Sequence, residues 1–279
     1  MEPEDATTSR PLAITLVVIA CNEAESIGRC LDSVTLVDEK IVVDSGSTDD
    51  TAAIAAACGA RVIHQPWLGF GPQRNFASLQ ARNDWILVLD ADEMLTPALS
   101  EELRSTLPAL MDSNAAGAML RRTNSYMGAP MHWYRPMVGE RISRLYHRGR
   151  ARWSDARVHE SLQFDGPVAS LKQPFIHFQN PTLVHKQLKV LRYGELKATD
   201  WLDRARPPRL WTCPFVFLAT FVKDYFLRLA FLDGWRGYVI AQTAASQAVY
   251  KRLRYYEMCT NPQSRALGRE LFRAHDLGP

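Results

Sequence analysis

Three carboxylates fall within four residues at Asp90-Ala91-Asp92-Glu93, directly after the apolar run from Trp85 to Leu89. Like charges this close repel, and removing them from water is costly, so the arrangement calls for nearby positive charge. Carboxylates two residues apart beyond a strand offer hard oxygen ligands to Mg²⁺ or Mn²⁺. Such a cation normally keeps waters and shares a substrate diphosphate. The plainer reading is a polar loop leading into PALSEELRS, where acids near a helix N-terminus are favoured in any case. A second cluster stands in VVDSGSTDD. Asp44 ends a strand there, and its acceptor-only carboxylate suits the N–H of a nucleobase. Ser47 and Asp50 have capping-box spacing for a helix beginning near Thr51. A third cluster, Cys21-Asn22-Glu23, follows the run AITLVVIA.

The elements around these clusters alternate. AITLVVIA (13–20), KIVVD (40–44), ARVIH (60–64) and DWILVLD (84–90) read as strands. Between and after them, ESIGRCLDSV, TAAIAAAC (51–58), PQRNFASLQAR (72–82) and PALSEELRSTL (97–107) read as helices, the second ending at Gly59 and the third with Pro72 in its first turn. This alternation predicts a parallel sheet covered by helices on both faces, which is why Trp85 to Leu89 does not alternate with polar residues. Ligands of such sheets bind beyond the carboxyl ends of the strands, where the three polar clusters are expected. Further on, GAMLRRTNSYMGAPMHW and RISRLYHR read as strands, and VHESLQFDGPVASL as a hairpin turning at Asp165-Gly166. His177, in FIHF, alternates with aromatics and reads as a core histidine. From about Pro181 onward the signals are helical and basic.

Composition sets outer bounds. The 279 residues are 47% apolar and 23% charged, a globular mixture. A net charge of +3 does not mark a nucleic-acid binder. The five cysteines are scattered with no C-x-x-C pair, so neither a disulfide framework nor a zinc site is expected. The opening MEPEDATTSR is acidic and polar, unlike a signal peptide. The most apolar stretch, 210 to 235, is interrupted by Lys223, Asp224 and Arg228. It is too short and too charged to span a bilayer, so it is either a core helix or an interfacial one.

Taken in order, VVIACNEAESIGRCLDSV, KIVVDSGSTDDT, GFGPQRNFA and WILVLDADE resemble the successive motifs of family-2 glycosyltransferases, over roughly residues 12 to 180. VHESL and FLDGWRGYVIA look like the subgroup that builds lipopolysaccharide core or related bacterial surface glycans. The resemblance implies a GT-A domain with a mostly parallel central sheet over 11–180, followed by a basic and aromatic helical appendage over 181–279. It implies a metal-dependent, inverting sugar transfer from a nucleotide-diphosphate donor, UDP-linked, to a lipid-anchored saccharide. By position, Ala20, Asn22 and Glu23 resemble the loop contacting base and ribose, and Asp44 the aspartate that reads uracil. Asp90 and Asp92 resemble the D-x-D pair, the first near ribose or metal and the second on the metal. Arg74 sits where the family often has a basic residue near the nucleotide. An inverting transfer also needs a base to take the acceptor hydroxyl's proton. Glu160, in DARVHESL, resembles the third carboxylate motif, with Asp155 and His159 as rivals; the family's usual Glu-Asp followed by Q-x-x-R-W is absent.

The bases scattered among aromatics after 181 fit an anionic membrane surface, which places the chain in the cytoplasm at the inner face of the membrane. The plainer alternative is a helical lid packed on the catalytic domain, with its charges solvated. No RNA-binding motif accompanies them. Two alternatives compete with the transferase reading. A nucleotidyltransferase would carry a Gly-rich basic loop after the first strand, where this chain has Cys21-Asn22-Glu23-Ala24. A non-catalytic sugar- or lipid-binding protein would not need Asp44, Asp90 and Asp92 together.

Overall fold

Strand β1 (Leu12–Ala20) is buried from Ile14 to its end. Its side chains alternate between two apolar layers: Ile14, Leu16 and Val18 enter one, Val17 and Ile19 the other. α1 (Ile27–Asp32), β2 (Val37–Asp44), α2 (Thr51–Ala57), β3 (Arg61–His64) and α3 (Phe70–Leu79) follow. In β4 (Trp85–Asp90) the same division recurs, with Leu87 and Leu89 on one side and Ile86 and Val88 on the other. Burying each of these side chains contributes about 1.5–3 kcal/mol, so both faces of the sheet resist exposure. β5 (Glu93–Leu95) leads to α4 (Pro97–Met111), whose Thr96 cap accepts the Leu99 amide at 3.1 Å. Leu99, Leu103 and Leu107, four residues apart, form its buried stripe. Then come β6 (Gly117–Tyr126), β7 (Ala129–Pro130), β8 (Val138–His147), β9 (Ala151–Trp153), β10 (Leu162–Phe164) and β11 (Val168–Gln179).

The structure, a computed structural model, describes residues 11–154, 161–179, 182–204 and 207–274. Among the described residues the main sheet runs β3-β2-β1-β4-β8-β6-β11-β5, with β7 paired to β6. β3, β2, β1 and β4 pair in parallel with one another, whereas β4–β8 and β11–β5 are antiparallel. This is an α/β fold of the GT-A type. The expected hairpin at Asp165-Gly166 does not form as a pair. β10 joins β9 in a two-stranded sheet, and β11 joins the main sheet. The turn is present, with Gly166 at φ +136°, but its two flanking strands find partners elsewhere.

The chain divides into two compact units, Met1–Thr123 with Gly139–His177, and Asn124–Val138 with Phe178–Pro279. The second unit contains α5 (Leu183–Asp203), α6 (Cys213–Val222), α7 (Gly234–Thr260) and α8 (Gln263–Ala274). Residues 124–138, read from sequence with the first domain, belong to this unit and share a core with it, in which Tyr126, Met131, Tyr134 and Met137 meet Ala230 and Ile240. Asp233 ties the two segments. Its carboxylate accepts the backbone amides of His132 at 2.9 Å, Trp133 at 3.1 Å and Tyr134 at 2.7 Å. Gly237 lets the start of α7 pass the preceding turn, because a Cβ there would lie 1.6 Å from the Ala230 carbonyl oxygen. Gly237→Ala is therefore expected to destabilise this unit by at least about 1–3 kcal/mol, read as a lower urea midpoint.

Candidate active site

The carboxyl ends of the parallel strands bring the sequence clusters together. In register, Ala20 of β1 faces Asp44 of β2, and Ile19 of β1 faces Asp90 of β4. Asp44 and Asp90 thus stand one strand either side of β1, about 10 Å apart by strand spacing. Ala20 is buried, and its carbonyl accepts the Ser45 amide at 2.9 Å.

The loop after β1 is laced to the loop after β2. Asn22 takes left-handed backbone, φ 57°, which asparagine tolerates better than most residues. Its amide donates to Ser47 Oγ at 2.9 Å, and its Oδ1 accepts the Thr48 amide at 2.8 Å. The Glu23 amide donates to Thr51 Oγ1 at 2.8 Å, and the Ala24 amide to Asp49 Oδ2 at 3.1 Å. Asp44 is buried, and its Oδ2 accepts the Gly46 and Ser47 amides, both at 3.1 Å. The Ser47 hydroxyl donates to Asp44 Oδ1. Burial alone would raise the Asp44 pKa; the Ser47 hydroxyl and the two amides outweigh it and hold the carboxyl below its ordinary range. Gly46, at φ +102°, makes this close turn possible. The expected Ser47–Asp50 cap is not formed. Asp50 is the N-cap without a side-chain bond, Ser47 is taken by Asp44, and the Asp49 carboxylate receives the Thr51 amide at 3.1 Å. A charged acceptor beside the serine wins its hydroxyl.

The positive charge required by the acidic tip is present in the protein. Asp90 Oδ1 accepts from Arg74 Nη2 at 2.7 Å, and Oδ2 from Arg144 Nη2 at 2.5 Å. Arg144 also donates to Glu93 Oε1, and Glu93 Oε2 accepts the Asp90 amide at 3.0 Å. Arg74, Arg144 and Glu93 are all buried, while a third of the Asp90 side chain stays open. The Arg74 guanidinium carbon lies 4.7 Å from the Trp153 ring centroid. Burial disfavours the Asp90 charge, yet Arg144 and Arg74 together hold its carboxyl well below the usual range. Glu93 moves the other way: burial pushes it up, and the Asp90 charge adds to that against the pull of Arg144. Glu23, across the site, is also raised by burial, against its Ser26 hydrogen bond and helped by the charges of Asp92, Asp49 and Asp90.

Asp92 is arranged differently. Its Oδ2 lies 3.0 Å from His177 Nε2, and 37% of its side chain is exposed. The pairing follows from register, since β11 runs antiparallel to β5 with His177 opposite Glu93. His177 is therefore at the tip of the site, although the aromatic alternation around it reads as core. Arg74, expected beside the nucleotide, is buried beneath Asp90. Glu160, Asp155 and His159 lie outside the described residues. Sequence reasoning missed Arg144, in a segment read only as a strand, and Glu93 as its partner; the signal available was charge balance, since an acid buried beside Asp90 demands a cation.

Among the described residues no group of three or more His, Cys, Asp and Glu side chains forms a metal cluster. Asp92 and His177 supply two donors. The two are hydrogen-bonded to each other as they stand; a carboxylate oxygen and an imidazole nitrogen at this edge are the described donors that would hold a divalent cation such as Mn²⁺.

The carboxyl edge of the parallel strands gathers these carboxylates, and the chain belongs to the family described as Glycosyl transferase family 2, whose model matches residues 15–161. It is 32% identical over 260 residues to the lipopolysaccharide core biosynthesis glycosyltransferase LpsC of Rhizobium meliloti strain 1021, covering 88% of this chain and 93% of that one. It is 31% identical over 239 residues to an uncharacterized glycosyltransferase of Rickettsia felis, covering 81% and 83%. Among solved structures, glucosyl-3-phosphoglycerate synthase of Mycobacterium tuberculosis, in complex with Mn²⁺, UDP and glucosyl-3-phosphoglycerate, is 30% identical. That similarity covers 43% of this chain and 45% of that one, with a TM-score of 0.33.

Proposed function

We propose that the protein transfers a sugar, with inversion, from a UDP-sugar to a lipid-anchored saccharide at the cytoplasmic face of the membrane, within assembly of lipopolysaccharide core or a related surface glycan. The observation that carries this reading is the partly exposed Asp92, paired to the largely covered His177, beside the Asp44 and Asp90 strand ends. The likeness to LpsC over most of both chains supports the acceptor class.

In this reading Asp44, held ionised by its own turn, accepts the N–H of uracil. The Ala20–Glu23 loop lies against base and ribose, and the open edge of Asp90 accepts a ribose hydroxyl. Arg74 and Arg144 act as positioning residues that fix Asp90 and keep it charged. Asp92 and His177 hold the cation, Mg²⁺ or Mn²⁺, which when bound supplies charge stabilisation to the leaving diphosphate. Glu160 takes the proton of the acceptor hydroxyl as its oxygen bonds the anomeric carbon, and the opposite bond to the diphosphate oxygen breaks; Asp155 is the rival base.

The test is release of UDP from a panel of UDP-sugars by the purified chain with a saccharide acceptor. We expect release to fall at least about tenfold on chelation and to recover with Mn²⁺, with product of inverted anomeric configuration by NMR. Release indifferent to metal would sink the reading.

A further inference from the structure

We propose that the second unit carries a site for the phosphate of an anionic lipid headgroup, formed by Arg209 and Arg252 beside Trp201, at the foot of an apolar helix that seats in the bilayer interface. The proposal rests on the membrane-surface reading above and names what would hold the chain there.

The apolar element comes first. None of the residues of α6 is buried, and the segment Leu210–Leu227 is apolar enough for a membrane yet barely covered by protein. Trp211 is 72% exposed, Phe215 68%, Leu218 61%, Leu227 67% and Trp235 57%. Water-exposed apolar side chains in this concentration mark an interaction surface. Trp211, at the start of the segment, suits the headgroup boundary. By length and composition alone the segment is sufficient to cross a membrane, but Lys223 and Asp224 interrupt the run. Asp224 is nonetheless buried, paired to Arg228 Nη1 at 2.7 Å. A helix lying in the interface meets these constraints.

The polar element adjoins it. A cavity of about 430 Å³ is lined by Trp201, Pro207, Pro208, Arg209, Arg252 and Tyr255, and closed by Thr212 and Val216 at the start of α6. Among the described residues none that lines it is acidic. Arg252 is held in place, with Nη1 donating to the Ala248 carbonyl at 2.6 Å and its guanidinium carbon 5.6 Å from the Trp201 ring centroid. Lys251 Nζ lies 5.9 Å from the same ring. Asp200, next to Trp201 in the chain, is already engaged by Lys197 at 2.9 Å and Arg204 at 2.8 Å. The positive charge is therefore concentrated: burial, then Arg252, Lys197 and Lys223, push the Lys251 ammonium down. A phosphate would relieve that repulsion and match the guanidinium fork. Because α6 forms one wall, an anion seated there lies where the apolar helix meets water, which is the depth of a lipid phosphate.

The experiment is flotation of the full chain with phosphatidylcholine vesicles, with and without added phosphatidylglycerol. The variants are Arg209→Gln/Arg252→Gln, Arg209→Gln alone, and Lys189→Gln/Arg192→Gln as a charge-matched control on α5. We expect the wild type to float more strongly with phosphatidylglycerol. The Arg209/Arg252 double variant should lose about tenfold more of that binding than the control, and Arg209→Gln, at an exposed position, part of it. Equal losses in clamp and control variants overturn the site but spare the membrane reading. A wild type that floats with neither vesicle overturns both. Inorganic phosphate that raises the melting temperature through Arg252, with flotation indifferent to Arg252, overturns the lipid assignment in favour of a free anion.

Discussion

Asp92→Asn is expected to lower turnover about a hundred- to a thousandfold while leaving unfolding free energy within about 0.5 kcal/mol of the wild type. The side chain is partly exposed and makes its one described hydrogen bond to His177, so little of the fold depends on it. Neutralising it removes a charged donor from a pair that has only two. His177→Ala should give a similar pattern through the other donor. The check combines steady-state UDP release with electron paramagnetic resonance of Mn²⁺ in the presence of UDP, where the wild type should remove free-ion signal and both variants should not. Normal turnover and normal Mn²⁺ uptake in Asp92→Asn would end the metal assignment.

Arg144→Met should show the opposite balance, with a stability loss of about 3–5 kcal/mol measured by urea unfolding. The substitution keeps most of the volume but leaves Glu93 buried without its guanidinium and Asp90 with Arg74 alone. pH dependence provides a second signature. The depressed folded pKa of Asp90 contributes stability that is present above the unfolded value and lost as pH falls toward the folded one. Glu93, already raised, loses its main counter-charge in the variant and rises further. A group raised in the folded state contributes stability below its unfolded pKa, near 4.5, that disappears as pH climbs through the folded value. The variant should therefore lose more stability between mild acid and neutral pH than the wild type, in which the Glu93 loss is smaller and the Asp90 contribution runs the other way. A variant with wild-type stability at neutral pH would show that the buried ion pairs are not needed.

Much of this architecture is legible along the chain because local signals determine it. The alternation of Ile14, Leu16 and Val18 against Val17 and Ile19, repeated in β4, follows from a strand covered twice, and the polar ends of β1, β2 and β4 mark the working edge. What stays hidden depends on register between distant segments. Arg144 meets Asp90 across 54 residues, through antiparallel pairing of β8 with β4. His177 meets Asp92 across 85 residues, through β11 against β5. The FIHF alternation correctly buries Phe175, yet it does not reveal that the next inward position reaches the loop after β4. Likewise, the turn chemistry of Asp165-Gly166 marks a reversal without fixing which strands pair across it, and 124–138 reads with the first domain because its attachment to Asp233 lies about a hundred residues away.

The arginine–carboxylate quartet has one further consequence. Its two positive and two negative groups cancel when Glu93 is ionised, so among the described residues the charge on Asp92 is the one within the DADE tip without a guanidinium. One carboxylate and one imidazole make a weak chelate for a lone divalent ion, and a nucleotide arriving alone meets an acidic rim. Each ligand improves the welcome for the other. Cation and donor should accordingly enter as a coupled pair, with each enhancing the affinity for its companion by the same factor.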